Sequence, residues 1–467
     1  MNDILLYDSL SNQKKTFEPI DINNIRIYAC GPTVYNFAHI GNARMAIVFD
    51  SFVRLFRAKY TNVTYVSNIT DIDDKIIEAA NELDVSIDEL TQKYTKIYNE
   101  DMAKLNVLPP DVQPKATEYV KEMVDFIQQL IEGGKAYEID GHVFFHVPEH
   151  AAYGKLSNRA FDQQLAGSRV QVSNIKKNQQ DFVLWKPSND NQPGWNSPWG
   201  FGRPGWHTEC CVMSEVNLQI PFDIHGGGQD LIFPHHENER AQSTSAFSHN
   251  FVKHWVHNGM INFSGKKMSK SEGNSKFLAE YIDNYGGNVL RYFFLRANYR
   301  KPQEFSESLL EESKATFNNI ESLISGEEAD LKDSNLETIF TESMNDDLNT
   351  PKFLGEMFEY INKNKNGDQT QITNMKSTIK YLFEILGFVF EDKEQKIDIK
   401  LLEIILIEQN IQIEDDINVS INKFIAKRNE YRNNKEFSTA DFMRNQLEQV
   451  GIVIEDGNES GWRWKDS

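Results

Sequence analysis

Along the first hundred residues the apolar positions change period several times. Ile25-Arg26-Ile27-Tyr28-Ala29-Cys30 is a short β-branched run ending at Gly31-Pro32, which predicts a strand closed by a turn. From Ala43 to Tyr60 the apolar residues Ile47, Val48, Phe52, Leu55 and Phe56 keep helical spacing. Asn62–Asn68 predicts the next strand, and Asp71–Leu83 opens another helical stretch. Strand, long helix, strand is the pattern of an α/β fold with a doubly wound parallel sheet of Rossmann type. Ligands bind such sheets outside the carboxyl ends of the strands, and Cys30 sits at one.

The pattern predicts five segments. Residues 1–107 carry the first half of the sheet, 108–204 an insertion, and 205–304 the second half. In the insertion, Ala116–Glu132 reads as a helix and Tyr137–Val147 as a hairpin, while Asn189–Gly205, rich in Pro, Gly, Trp and Asn, reads as a long ordered loop. Residues 305–400 read as a helical bundle; Leu354, Phe358 and Ile361 share one helix face, with Pro351 just inside its start. Polar acidic stretches at Asp392–Lys400 and Glu414–Asn418 read as joints around a small C-terminal α/β unit, 401–467.

Composition narrows the class. The 467 residues suit several domains, and 40% hydrophobic with 25% charged side chains excludes a disordered or fibrous chain. No apolar run approaches the ~18 residues of a membrane span, and the N-terminus has no basic and apolar leader, so no membrane partner and no secretion are expected. Three cysteines cannot staple a chain of this length, which predicts a reducing, cytoplasmic setting. A net charge of -20 argues against loose nucleic-acid binding.

Candidate chemistry gathers at a few places. Cys30 and Cys210 each adjoin a turn, and Phe233-Pro-His-His-Glu-Asn-Glu-Arg240 places His235 and Glu239 at i and i+4 if a helix begins after Pro234. Two thiolates, an imidazole and a carboxylate would suit tetrahedral Zn²⁺. Spacing equally allows His236 with Glu239 at i+3, and Cys211 stands beside Cys210. Gly226-Gly227-Gly228 lacks the third glycine of a dinucleotide fingerprint, and the Gly259–Lys267 stretch misses the P-loop spacing. His39-Ile40-Gly41-Asn42 precedes the first helix, where polar side chains and open backbone N–H groups favour polyphosphate. Lys267-Met268-Ser269-Lys270-Ser271 is a cationic loop able to close over phosphates.

These two elements, in this order, resemble the signatures of class I aminoacyl-tRNA synthetases. Within that class the chain resembles the cysteinyl-tRNA synthetase family. The resemblance rests on Cys30-Gly-Pro-Thr-Val-Tyr35, Asn68-Ile-Thr-Asp-Ile-Asp-Asp-Lys75, Asp181-Phe-Val-Leu-Trp-Lys186, Gly205-Trp-His-Thr-Glu-Cys210 and Asp223-Ile-His-Gly-Gly-Gly-Gln-Asp230, and it spans the chain. It implies activation of L-cysteine with ATP and Mg²⁺, then transfer to tRNA(Cys) by a monomeric enzyme. It places one zinc ion on Cys30, Cys210, His235 and Glu239, leaving Cys211 and His236 as neighbours. His39, Gly41 and Asn42 with Lys267, Ser269 and Lys270 would bind ATP; His39, Asn42, Lys267 and Lys270 would act on its phosphates. Thr70, Trp206 and His225 would wall the amino-acid pocket.

One position departs from the family pattern. Asn42 stands where the signature has a second histidine; it donates a hydrogen bond but carries no charge. On the resemblance, Met344-Asn-Asp-Asp-Leu-Asn-Thr-Pro351 and its surroundings support the tRNA stem. The basic stretch Ile421–Arg444 and the aromatic ending Gly461-Trp-Arg-Trp464 are expected at the anticodon. Related ligases that join cysteine to a small amine lack this extension. A zinc hydrolase would need a second histidine that Asn238 and Glu239 do not supply, and an RNA-binding protein without catalysis leaves the Lys267–Ser271 loop unexplained.

Overall fold

β1 (Ile25–Ala29) is an inner strand of a four-stranded parallel sheet ordered β4 (Val252–Asn258), β3 (Phe222–Gly228), β1, β2 (Val63–Ser67). This is a computed structural model; it describes residues 3–158, 175–189, 192–247, 249–263, 266–267, 277–325, 331–390, 399–414, 417–455 and 461–464. Alternate residues of β1 feed two cores: Ile25, Ile27 and Ala29 pack on one face, Tyr28 on the other with Cys30 just beyond. A parallel sheet covered on both faces has no solvated side, and every residue of β3 is accordingly buried. The chain runs outward from β1 to β2, then returns to build β3 and β4 on β1's other edge. The order therefore reverses between β1 and β3, where Cys30 N–H donates to Gly226 O at 3.1 Å.

Two helix starts differ from the apolar period. α1 (Ile40–Lys59) begins before Ala43 because His39 caps it, and α2 (Asp74–Leu83) begins after Asp71. Asp71 is held outside the helix by Thr117, whose backbone N–H and hydroxyl donate to its carboxylate at 3.0 and 2.6 Å, and Asp73 becomes the cap.

Buried charge fastens α1 to the second half of the domain. Arg44 is fully buried and donates to the carbonyls of Gly259, Met260, Asn298, Tyr299 and Lys301 at 2.7–3.4 Å. Asp50 and Arg291, both fully buried at the side chain, pair at 2.6 Å, and Asp50 also takes Arg54 and the Leu108 N–H.

The insertion holds a five-stranded antiparallel sheet. Its order is Ala136–Ile139, His142–Phe145, Phe182–Pro187, Gly200–Pro204, Trp195–Ser197. The expected loop at Asn189–Gly205 is thus largely a hairpin. Its glycine content, which reads as loop, reflects close packing: a Cβ on Gly202 would sit 2.5 Å from Lys186 O and from the Trp185 ring nitrogen. Lys186 and Arg203 of this sheet both grip Asp74 at 2.7 Å, fixing it against α2.

The chain separates into two compact units, Met1–Phe390 and Glu391–Ser467. The first ends in helices Glu307–Ile324, Ser334–Asn345, Thr350–Asn364 and Gln369–Ile385. Between two of them the buried Asp347, in the left-handed region at φ 65°, accepts from Tyr7 N–H, Tyr299 OH and Arg300 Nε at 2.7–2.8 Å. The second unit packs Ile399–Glu408, Ile417–Asn433, Phe437–Gln449 and the hairpin Ile452–Glu455/Gly461–Trp464 around Leu406, Ile421, Phe424 and Leu447. The basic stretch from Ile421 to Arg444 is therefore two helices, broken where Lys435 turns left-handed. Most of the expected joint at Asp392–Lys400 and part of that at Glu414–Asn418 lie outside the described residues. Among the described residues no helix is long and apolar enough to cross a membrane.

Candidate active site

Four elements converge at the switch point. Cys30 leaves β1, Cys210 comes from α3 (Trp206–Leu218), His225 from β3, and a tight turn at Ile232–His236 delivers His235 and His236 into α4 (Glu237–Phe247), which supplies Glu239. The extended backbone of Phe233, φ -138° and ψ 129°, interrupts that turn, so the two histidines start a new helical path. The thiol of Cys30 lies 3.5 Å from Cys210 Sγ and 3.6 Å from Glu239 Oε1. His235 Nε2 lies 3.6 Å from Cys210 Sγ and 2.9 Å from Glu239 Oε1.

Cys30, Cys210, His235 and Glu239 are all buried, and their ligand atoms lie within 4.8 Å of one another, a group that could hold a metal ion. A second such group, Cys30, His225, His236 and Glu239, shares two of its members. His236 Nε2 is 3.2 Å from Cys30 Sγ, and His225 Nε2 is 2.6 Å from Glu239 Oε2. Both i+3 and i+4 histidines thus face Glu239, the former at 3.9 Å. The Cys211 thiol instead contacts the carbonyls of His207 and Glu239.

The charges in this pocket are strongly coupled. Burial raises the Cys210 thiol, but the hydrogen bond from Cys30 and the adjacent His235 outweigh it and bring it down to about 6. Burial together with that thiolate pushes Cys30 well up. Burial opposes charge on Glu239 and His235 alike, yet Glu239 is held well below the usual carboxylate range by His225 and His235. His235 is raised to about 10, chiefly by Glu239. Thiols, a carboxylate and an imidazole this close together form a donor set suited to a cation.

Beside this cluster opens a cavity of about 290 Å³ lined by His39, Asn42, Tyr35, Lys75, Trp206 and Asp230, among others. Trp206 joins the two: it lines the cavity and stacks on His235, ring centroids 4.1 Å apart. Also in the lining, His39 Nδ1 accepts from the backbone N–H groups of Gly41 and Asn42, at 3.1 and 3.3 Å, while Asn42 Oδ1 accepts from His39 N–H at 3.0 Å. This capping box corrects the expectation of open N–H groups at the start of α1. It also fixes chemistry. A neutral His39 that accepts at Nδ1 carries its proton on Nε2, and an Asn42 that accepts through Oδ1 keeps its amide NH₂ as donor.

Thr70 and His225 are buried and do not line this cavity; Thr70 Oγ1 donates to Glu209 Oε2 at 3.0 Å and accepts from Asn68 at 3.2 Å. Lys267 is described only in its backbone, in the short strand Lys266–Lys267 paired with Asn262 and Phe263; Ser269 and Lys270 lie outside the described residues. Sequence reasoning overlooked Asn68, whose Oδ1 accepts from Gly31 N–H and from Tyr28 OH, and His207, which meets His235. Both sit in the motifs quoted above, but nothing in their spacing marks them. A Cβ on Gly31 would fall 1.5 Å from Asn68 O, so only glycine lets these two strand ends close.

The tRNA synthetases class I (C) catalytic domain family matches residues 16–315, and the DALR domain family matches residues 339–391. The catalytic domain is that of a class I tRNA synthetase. The methionyl-tRNA synthetase of Mycobacterium tuberculosis, solved with methionyl-adenylate, shares the fold with a TM-score of 0.57 at 16% identity, over 78% of this chain and 89% of that one. The protein named Cysteine--tRNA ligase in Parvibaculum lavamentivorans is 43% identical over 98% of this chain and 97% of its own, and that of Maricaulis maris is 41% identical over 100% of both. The chain belongs to the cysteine--tRNA ligase family.

Proposed function

We propose that this chain activates L-cysteine with ATP to cysteinyl-adenylate and pyrophosphate, then transfers the acyl group to the 3′ end of tRNA(Cys), releasing AMP. The observation that carries the reading is the join at Trp206: this residue stacks on the thiol-rich donor set and lines the same cavity as the His39–Asn42 pair. Attack of a carboxylate on the α-phosphate needs positioning and charge stabilisation more than covalent help from the protein. Two neutral donors, His39 Nε2–H and the Asn42 amide, would meet the oxygens of that phosphate. A Cβ on Gly41 would sit 3.0 Å from the His39 ring, so glycine leaves room for that ring to cap the helix, and Lys267, Ser269 and Lys270 would hold the β,γ-phosphates that arrive with Mg²⁺.

The donor set Cys30, Cys210, His235 and Glu239 fits Zn²⁺: two sulfurs, an imidazole and a carboxylate, with one thiol already acidic. Bound there, zinc supplies a soft Lewis acid that takes a substrate thiolate far better than the hydroxyl of serine, a discrimination shape alone cannot reach. Glu239, the hardest of the donors, is the ligand to yield to the incoming sulfur. Trp206, Thr70 and His225 hold the surroundings of that sulfur rigid. We place the tRNA stem on the helices of 305–400 and the anticodon on 401–467, in a monomeric cytoplasmic enzyme.

Cysteine-dependent ATP–pyrophosphate exchange, run in parallel with serine and repeated after chelation, tests the reading. Exchange with cysteine and not with serine, lost on chelation and restored by zinc, is expected. Exchange that ignores cysteine, or a cysteine preference that survives complete removal of metal, defeats it.

A further inference from the structure

Among the described residues that line the reaction cavity, Lys75 is the only lysine or arginine. The cavity must receive phosphates, and its other charged side chain is a carboxylate, Asp230. Lys75 lies in the first turn of α2, where its two predecessors are already committed. Asp73 caps the helix by accepting from the Lys75 backbone N–H at 2.9 Å, and Asp74 is held by Lys186 and Arg203 at 2.7 Å each. The Lys75 side chain is exposed, and its ammonium stands 5.6 Å from the centroid of the Tyr35 ring, itself part of the cavity wall. No carboxylate lies within ion-pair distance of it among the described residues.

We propose that Lys75 is a phosphate ligand of the reaction cavity, its ammonium moving from the Tyr35 ring to a phosphate oxygen of the substrate. A cation 5.6 Å from the centroid of a half-buried ring is held more weakly than one hydrogen-bonded to a phosphate oxygen, so arrival of the anion is enough to drive the change of partner. The grip on Asp74 serves the same end. With Asp74 neutralised by two cations of the inserted sheet, the Lys75 charge stays available to a ligand, and the helix N-terminus beneath it adds to the attraction. Two anions reach this cavity on the function proposed above: ATP, and the phosphodiester that joins the 3′-terminal nucleotide of tRNA to its neighbour. The inference rests on that reading.

The full-length, zinc-loaded K75Q and K75R variants separate these sources. If the phosphate is that of ATP, K75Q raises the KM for ATP in cysteine-dependent exchange about tenfold, as loss of one charged hydrogen bond implies, with the KM for cysteine unchanged and K75R largely restored. If it is that of tRNA, exchange stays at the wild-type rate while the KM for tRNA rises by a similar factor. The salt dependence of tRNA binding then weakens by about one charge. Exchange and aminoacylation both within about twofold of wild type in K75Q, well under the loss of one such bond, overturn the inference. So does an equal loss in K75Q and K75R with the KM values for ATP and tRNA unmoved. Absence of cysteine-dependent exchange in the wild-type protein would instead defeat the parent reading.

Discussion

His207 and His235 meet through their Nδ1 atoms at 2.8 Å, so one ring donates and the other accepts. Burial and the neighbouring His235 push His207 down to about 3, which makes it the neutral acceptor. His235 therefore donates from Nδ1 and turns Nε2 toward Cys210 and Glu239, the ring orientation a metal ligand needs. His207→Phe keeps the ring and removes the acceptor. Metal affinity should fall about 10–100-fold, read by competition with a chromophoric chelator. Unchanged affinity would show that His235 is oriented by something else.

The capping box separates two roles of Asn42 that a truncation would merge. Asn42→Asp keeps an oxygen for the His39 N–H and deletes the amide donor; Asn42→Ala deletes both. Both variants should lose exchange activity by about tenfold or more, the worth of a hydrogen bond to a charged group. Only the alanine variant should also lose thermal stability. An aspartate variant with wild-type exchange would remove the amide from the reaction.

Asp50 and Arg291 form a buried pair whose rupture leaves a charge without compensation. Asp50→Leu should destabilise the first unit by about 3–5 kcal/mol, seen as a lower urea midpoint. Replacing both, as Asp50→Leu with Arg291→Met, should recover much of that loss. A double variant as unstable as the single one would mean that the carbonyl contacts of Arg291, to Leu105, Asn106 and Leu386, matter more than the pair.

His254 on β4 is buried against Phe17, and among the described residues neither ring nitrogen has a hydrogen-bond partner. Burial lowers it to about 4. The folded chain thus binds fewer protons here than the unfolded chain between about pH 6.5 and 4, so stability falls as pH drops through that window. The contribution amounts to up to about 3 kcal/mol, converted at the usual rate per pKa unit. His254→Leu should flatten the curve of urea midpoint against pH in that range. A curve parallel to wild type would place the titration on other groups.

Local pattern carried much of this architecture. β1, α1 and β2 were legible because each has a clear period, and the i, i+4 spacing of His235 and Glu239 survived the kink before it. What pattern could not supply is partnership across distance. His236 looks like a bystander in the chain, yet it reaches Cys30 because β1 and α4 meet in space. The glycines of 189–205 suggest a loop because composition cannot tell a glycine needed for φ from one needed for closeness, as at Gly202. His39 read as a phosphate-binding side chain near a helix start. That it occupies the helix's own N–H groups depends on a rotamer, which no sequence displays.

The five carbonyls around Arg44 also set a timetable. The last of them, Lys301 O, lies 257 residues further along the chain. At ribosomal speeds of 5–20 residues per second, α1 leaves the ribosome on the order of 10–50 s before its guanidinium can be enclosed. Through that interval the nascent first half of the sheet carries an unhoused cation and an uncovered β1 edge. The domain can therefore close around Arg44 only once the second half, from β3 to the Asn298–Lys301 turn, has been made.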